Sequence, residues 1–184
     1  MAETSKMLPL GTKATDFNLL DTCSGKTMSL SQLASNKATV IMFICNHCPY
    51  VKLIQEKLVD VANEYQAKGI AFIAISSNDI QNYPQDAPEF MRAEAAKFNY
   101  SFPYLYDETQ DIARAYQAAC TPDFYIFDAD LKCVYRGRFD EATPGNGRAV
   151  TGADLTDALD DILANRPINP DQNASMGCGI KWKK

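Results

Sequence analysis

Four consecutive residues, Cys45-Asn46-His47-Cys48, hold two of the chain's six cysteines and its single histidine. Thiolate is the reactive form of cysteine, as nucleophile and as metal ligand alike. Two intervening residues let both sulfurs meet in one helical turn, so that one attacks a disulfide and the other resolves the mixed intermediate. His47 adds a switchable positive charge that lowers a neighbouring thiol's pKa whenever the imidazole is protonated. With one imidazole in the chain, most sites built on histidine ligands and most Ser-His or Cys-His triads are excluded. The same two cysteines also make half of a zinc site that Cys120 or Cys178 would complete, although a second close pair of ligands is missing.

The pair needs a rigid support, and the surrounding pattern supplies one. Thr39 to Ile44 is an apolar run too short for a helix, as expected of a strand buried on both faces. From Pro49 onward, apolar residues recur at Val51, Ile54, Leu58, Val61 and Tyr65, the steps of an amphipathic helix that stops at Lys68-Gly69. Ile70 to Ser76 is a second buried strand, so strand, helix and strand form a parallel crossover. Cys45 to Cys48 therefore falls where a central strand ends and a helix begins, and the partial positive charge and free N–H groups of a helix N-terminus stabilise a thiolate there. Proline suits a helix's first turn, so Pro49 puts the helix start between Asn46, a good N-cap, and Cys48.

Further along, Ser77 to Pro88 reads as a loop and Pro88 to Phe98 as a helix. A short helix over Glu108 to Tyr116 has Asp107 as its candidate N-cap. Asp123 to Phe127 and Lys132 to Phe139 alternate around Asp128-Ala129-Asp130 as an antiparallel hairpin. Asp154 to Leu163 presents Leu155, Ala158, Leu159, Ile162 and Leu163 on one helical face. Pro144 to Arg148 lacks the Gly-Lys-Ser/Thr ending of a phosphate loop and reads as a mobile connection. The whole is one domain over residues 1–184, an α/β sandwich of helices on a mixed sheet, with a core at about 11–163 and a tail at 166–184. The tail has no helical period; its tryptophan, Trp182, is expected to pack on the body of the domain.

At 184 residues, with 46% hydrophobic and 22% charged side chains, the chain can bury one real core. A net charge of −5 offers nucleic acid or an anionic membrane no electrostatic attraction. The longest apolar stretch, Ala38 to Ile44, falls far short of the roughly 20 residues of a membrane span. No secretory signal is visible, and a cytoplasmic location is expected. Structural disulfides are rare there, which makes six cysteines a question of reactive or metal-bound thiols. Cys23 and Cys133 read as structural. Cys178, between two glycines in a tail able to fold back, is a candidate for exchange with the active pair.

The motif after a buried strand, Thr121-Pro122 before a hairpin strand, and the opening Gly11-Thr12-Lys13-Ala14-Thr15-Asp16-Phe17-Asn18-Leu19 with Gly25 and Leu30 together resemble the thioredoxin superfamily. The branch is that shared by thioredoxin-like redoxins and the alkyl hydroperoxide reductase and thiol-specific antioxidant proteins. Thr15 stands where that branch usually has proline. Phe102 to Asp107, Ala119 to Phe124 and Gly177 to Trp182 resemble a bacterial subgroup of thioredoxin-like proteins. The resemblance implies a thioredoxin-like three-layer sandwich with an N-terminal extension and an irregular C-terminal tail. It also implies a cis Pro122 facing the cysteines, with Thr121 free to hydrogen-bond an extended substrate; Cys120, one residue further back, reads either as a thiol near Cys45 or Cys48 or as a small buried hydrophobe.

By that resemblance Cys45 is the nucleophile, Cys48 resolves, and His47 tunes both in a couple more oxidising than that of thioredoxin. Ile44 replaces the tryptophan, and Asn46-His47 the Gly-Pro, of thioredoxin itself. Cys45-x-x-Cys48-Pro49 is also similar to the Thr-x-x-Cys-Pro frame of peroxiredoxins, with Cys48 as the peroxide-reducing thiol, Cys45, Cys120 or Cys178 resolving it, and Arg114, Arg136 or Arg138 as candidate activators. The expected activity is a cytoplasmic thiol–disulfide oxidoreductase needing no dissociable cofactor. Its partners would be protein or small-molecule disulfides, peroxides in the alternative reading, and a thiol or reductase electron donor. A peroxidase is the second reading, and a zinc-binding or non-catalytic adaptor the third.

Overall fold

The computed structural model describes residues 2–184. In chain order its elements are β1 (Ala2–Thr4), β2 (Asn18–Asp21), β3 (Thr27–Ser29), α1 (Leu30–Leu33), β4 (Ala38–Phe43), α2 (Pro49–Ala67) and β5 (Ala71–Ser76). After a single 3₁₀ turn at Pro84–Asp86 come α3 (Pro88–Lys97), β6 (Tyr104–Tyr106), α4 (Asp111–Ala115), β7 (Cys120–Thr121), β8 (Asp123–Asp128), β9 (Cys133–Gly137), α5 (Ala153–Leu163) and β10 (Met176–Gly179).

The main sheet has the order β3-β2-β6-β5-β4-β8-β9. Its centre is parallel, with β4 beside β5 and β5 beside β6, and its flanks are antiparallel. Period-two alternation splits β4 cleanly between two cores. Val40 and Met42 face Ile54 and Leu58 of α2 and Leu155 and Leu159 of α5, whereas Ile41 and Phe43 face Leu30, Ala113 and Tyr116. Each such fully buried side chain contributes about 1.5–3 kcal/mol. The strand is therefore held rigidly on both faces, and Cys45 follows it after Ile44 alone.

Two local expectations are corrected. The helix at Glu108 to Tyr116 is only Asp111–Ala115, and its N-cap is Gln110 in a left-handed conformation (φ +66°). Asp107 still serves this helix from outside, accepting from the Ala113 amide at 2.9 Å while held by the Ser77 hydroxyl at 2.8 Å. The tail, expected to be irregular, contributes β10, which pairs antiparallel with β1 on one side and β7 on the other. The remaining boundaries agree with the periodicity to within a few residues.

Asp123 opens β8 fully buried, accepting from the Tyr125 hydroxyl at 3.0 Å while its second oxygen has no partner. Burial pushes its carboxyl up to about 7, only partly offset by the Tyr125 hydroxyl. Because the folded value lies above the unfolded value of about 3.9, this group stabilises the fold fully below about pH 4. The contribution declines as pH rises through about 7. Asp123→Asn removes that dependence. Between pH 4 and 8 its urea-unfolding free energy is expected to gain on that of wild type by at most about 4 kcal/mol, whereas parallel pH profiles would refute the assignment.

Candidate active site

The site begins where β4 runs out. Ile44 still donates to the Ile75 carbonyl at 3.0 Å, and the chain then turns at Cys45 into α2. Cys48, not Asn46, is the N-cap, with Pro49 in the first helical position. Asn46 is used elsewhere: its amide side chain donates to the Gln85 carbonyl at 2.9 Å and accepts from the Tyr104 hydroxyl at 3.1 Å. These bonds tie the Cys45–Cys48 turn to the loop before α3.

Both sulfurs are covered, with 2% of Cys45 and none of Cys48 exposed to solvent, and all six cysteines are free thiols. The peptide bond before Pro122 is cis. Thr121 meets both thiols: its hydroxyl lies 3.4 Å from Cys45 Sγ and its carbonyl oxygen 3.1 Å from Cys48 Sγ. Its backbone edge, where the resemblance would place a substrate chain, carries β10 with Cys178 directly opposite Thr121.

The two thiols share protons unequally. Hydrogen bonding from Cys45 holds Cys48 well below the usual thiol range against the cost of burial, with smaller help from Cys178, Thr121 and the Val51 amide. The Thr121 carbonyl favours a protonated Cys48, but one acceptor is outweighed by these donors and by the helix N-terminus. Cys45 is pushed well above its ordinary value by its bond to Cys48, then by burial and the Asp86 carboxylate. The thiolate therefore rests on Cys48.

His47 does not act on the sulfurs alone. Its Nδ1 lies 2.6 Å from Asp86 Oδ2 and 3.9 Å from Cys45 Sγ, and its ring stacks on Tyr83. Asp86 is fully buried and also accepts from the Asn46 amide and from the Asn78 side chain, each at 2.8 Å. This carboxylate was missed in the sequence because it lies in a segment read only as a loop; the single 3₁₀ turn at Pro84–Asp86 delivers it. Cys45, His47 and Asp86 bring their ligating atoms within 4.8 Å of one another, a different set from four thiolates. A metal ion there would have to replace the direct His47–Asp86 bond.

The other thiols separate clearly. Cys178 packs against the core that contains Cys45 and Cys48; burial and Cys48 push it up to about 11. Cys120 is completely buried and held above the usual thiol range by burial and Asp123. Cys133 is buried and raised to about 11 by burial, and Cys23 is exposed. Each candidate arginine is engaged away from the sulfurs: Arg136 with Leu8 and Gln172, Arg138 with Asp154, and Arg114 with Asp111 and Trp182.

The AhpC/TSA family profile matches residues 10–136. An uncharacterised conserved protein of Geobacillus kaustophilus is 55% identical, with a TM-score of 0.98 over 100% of this chain and 97% of that one. A hypothetical protein of Sinorhizobium meliloti is 44% identical, with a TM-score of 0.95 over 98% of each chain. A thiol:disulfide interchange protein of the thioredoxin family from Chlorobium tepidum shares 17% identity and a TM-score of 0.64, over 85% of this chain and 99% of that one. Comparison with curated proteins finds no match. The fold is thioredoxin-like, as the motifs imply.

Asp86 raises Cys45 electrostatically, so Asp86→Asn is expected to lower the Cys45 pKa. At pH 7 iodoacetamide should alkylate Cys45 a few-fold faster, read by peptide mass spectrometry across a pH series. An unmoved pH profile would leave Asp86 a purely structural role.

Proposed function

The chain belongs to the AhpC/TSA family, and on that premise we propose that it is a thiol–disulfide oxidoreductase cycling Cys45 and Cys48. The observation that carries this reading is the pair of thiols at the N-terminus of the 19-residue helix α2, each in contact with Thr121, one lowered and one raised. Such a pair holds one nucleophile ready and one proton in reserve.

In this reading the Cys48 thiolate attacks a substrate disulfide, forming a mixed disulfide and releasing one substrate sulfur as thiolate. Cys45 then gives up its proton, which neutralises the released thiolate, and attacks Cys48 Sγ. The Cys45–Cys48 bond forms, the Cys48–substrate bond breaks, and the second substrate sulfur leaves and is protonated from solvent. Two electrons pass from protein to substrate, and an external dithiol or reductase restores them. The roles of the two cysteines are then the reverse of those implied by the thioredoxin resemblance. The lowered Cys48 thiol also supports a more oxidising couple than that of thioredoxin, because it stabilises the reduced form.

His47 is a positioning residue here. Its Nδ1 donates to Asp86, and Asp86 holds the Asn46 amide, so the cysteine turn keeps its shape. Thr121 orients both sulfurs through its hydroxyl and carbonyl. Disulfides are the proposed substrates; among the described residues no helix is long and apolar enough to cross a membrane.

One observation favours a second reading. The lowered thiol is Cys48, which Pro49 follows, and that is the position of the peroxide-reducing cysteine in the peroxiredoxin frame. Against it, Arg114, Arg136 and Arg138 all have other partners.

Turnover of hydrogen peroxide and of hydroxyethyl disulfide by wild type, Cys45→Ser and Cys48→Ser, with dithiothreitol as donor, separates the readings. For the oxidoreductase, disulfide turnover falls by about a hundredfold or more in Cys48→Ser, and peroxide turnover is negligible throughout. Peroxide turnover that survives in Cys45→Ser and vanishes in Cys48→Ser would establish the peroxidase instead.

A further inference from the structure

The tail is not a loose end. Ile180 donates to the Ala119 carbonyl at 3.0 Å and the Lys181 amide to Asn78 Oδ1 at 2.8 Å. The Lys181 carbonyl accepts from the Asp79 amide and the Gln110 side chain, each at 2.8 Å, and the Lys183 amide donates to Gln110 Oε1 at 2.8 Å. Trp182 lies under the Arg114 guanidinium, 4.9 Å from ring to charge. The glycines beside Cys178 serve closeness, not the flexibility their type implied. A Cβ on Gly177 would collide with the Thr121 carbonyl, and one on Gly179 with the Glu3 carboxylate.

This packing draws β10 against β7 so that Cys178 faces Thr121 across the ladder. Thr121 is the residue whose carbonyl touches Cys48 Sγ. An extended substrate carrying a sulfur would dock by adding a strand to that same edge. From this juxtaposition we infer that β10 is a built-in substrate strand, presenting Cys178 to Cys48 as a second resolving thiol.

The inference rests on the proposed oxidoreductase cycle and extends it. Cys178, acting as a thiolate after losing its proton to solvent, attacks Cys48 Sγ of the Cys45–Cys48 disulfide. The Cys48–Cys178 bond forms as the Cys45–Cys48 bond breaks, and Cys45 leaves as a thiolate that is protonated. The chain keeps one disulfide throughout, so no outside oxidant or reductant is needed for the exchange. The same attack on a mixed disulfide at Cys48 releases the substrate thiol without Cys45. Large partners must displace β10 to reach the Thr121 edge, whereas the three thiols already complete the circuit for small disulfides.

The test uses the full chain in a Cys23→Ser background, since Cys23 is exposed and would react separately. Dithiodipyridine is the probe, and released thiopyridone is counted by absorbance. Cys45→Ser is expected to release a second equivalent of thiopyridone and to yield the Cys48–Cys178 peptide pair on acid-quenched mass mapping. With Cys178 also replaced by serine, or by alanine should serine disturb folding, release stops at the first equivalent and the adduct stays on Cys48. A persistent Cys48 adduct in Cys45→Ser, with Cys178 still alkylatable, would overturn the inference while leaving the parent cycle intact. Failure of the otherwise unaltered chain to form any Cys45–Cys48 or Cys48–Cys178 bond would overturn the parent cycle itself.

Discussion

Everything in the site is organised by the contacts of Thr121. Its hydroxyl reaches Cys45, its carbonyl reaches Cys48, and its backbone edge pairs with the strand that bears Cys178. Thiols carry weak hydrogen bonds and do not hold one another in place, so their geometry must come from a rigid backbone. Thr121 provides that backbone because β8, immediately beyond Pro122, pairs with β4 along its whole length. The strand that ends at the cysteines and the strand that begins at the cis-proline are thus neighbours in one sheet. Moving either would separate sulfurs from anchor.

A second network, centred on Asp86, acts on the same turn from the opposite side. One buried carboxylate bonds the His47 ring, the Asn46 amide and the Asn78 side chain. Asn78 in turn accepts from the Lys181 amide of the tail. A buried carboxylate is tolerable only where donors surround it, and here they come from the cysteine turn and from Asn78 in the loop after β5. Active turn, connecting loop and C-terminal tail are therefore linked through a single charge. The charge also opposes ionisation of Cys45, which leaves the resting thiolate to Cys48.

Most of the scaffold was legible because it follows from local periodicity. The run Thr39 to Ile44, the helical stripe from Val51 to Tyr65 and the alternation after Asp123 each state which face is buried, and burial determines pairing and layer. The cysteine pair was legible for the same reason, since strand-then-helix puts it at a helix N-terminus. Asp86 was not, because a loop has no period and nothing local marks which of its acidic residues points inward. The short helix after Tyr106 was overextended because Gln110 adopts a left-handed conformation that its residue type rarely shows.

By itself the amino-acid order determined the layers, the position of Cys45 and Cys48 and the chemistry that two thiols at a helix tip perform. Those are consequences of patterns within a few residues. Only the tertiary structure decided which sulfur holds the charge, that His47 answers to Asp86, and that the tail is a strand laid on Thr121. Each involves groups far apart in the chain, such as Cys45 and Asp86, His47 and Asp86, or Thr121 and Cys178. A pKa or a strand edge responds to distance in space, which chain spacing does not encode.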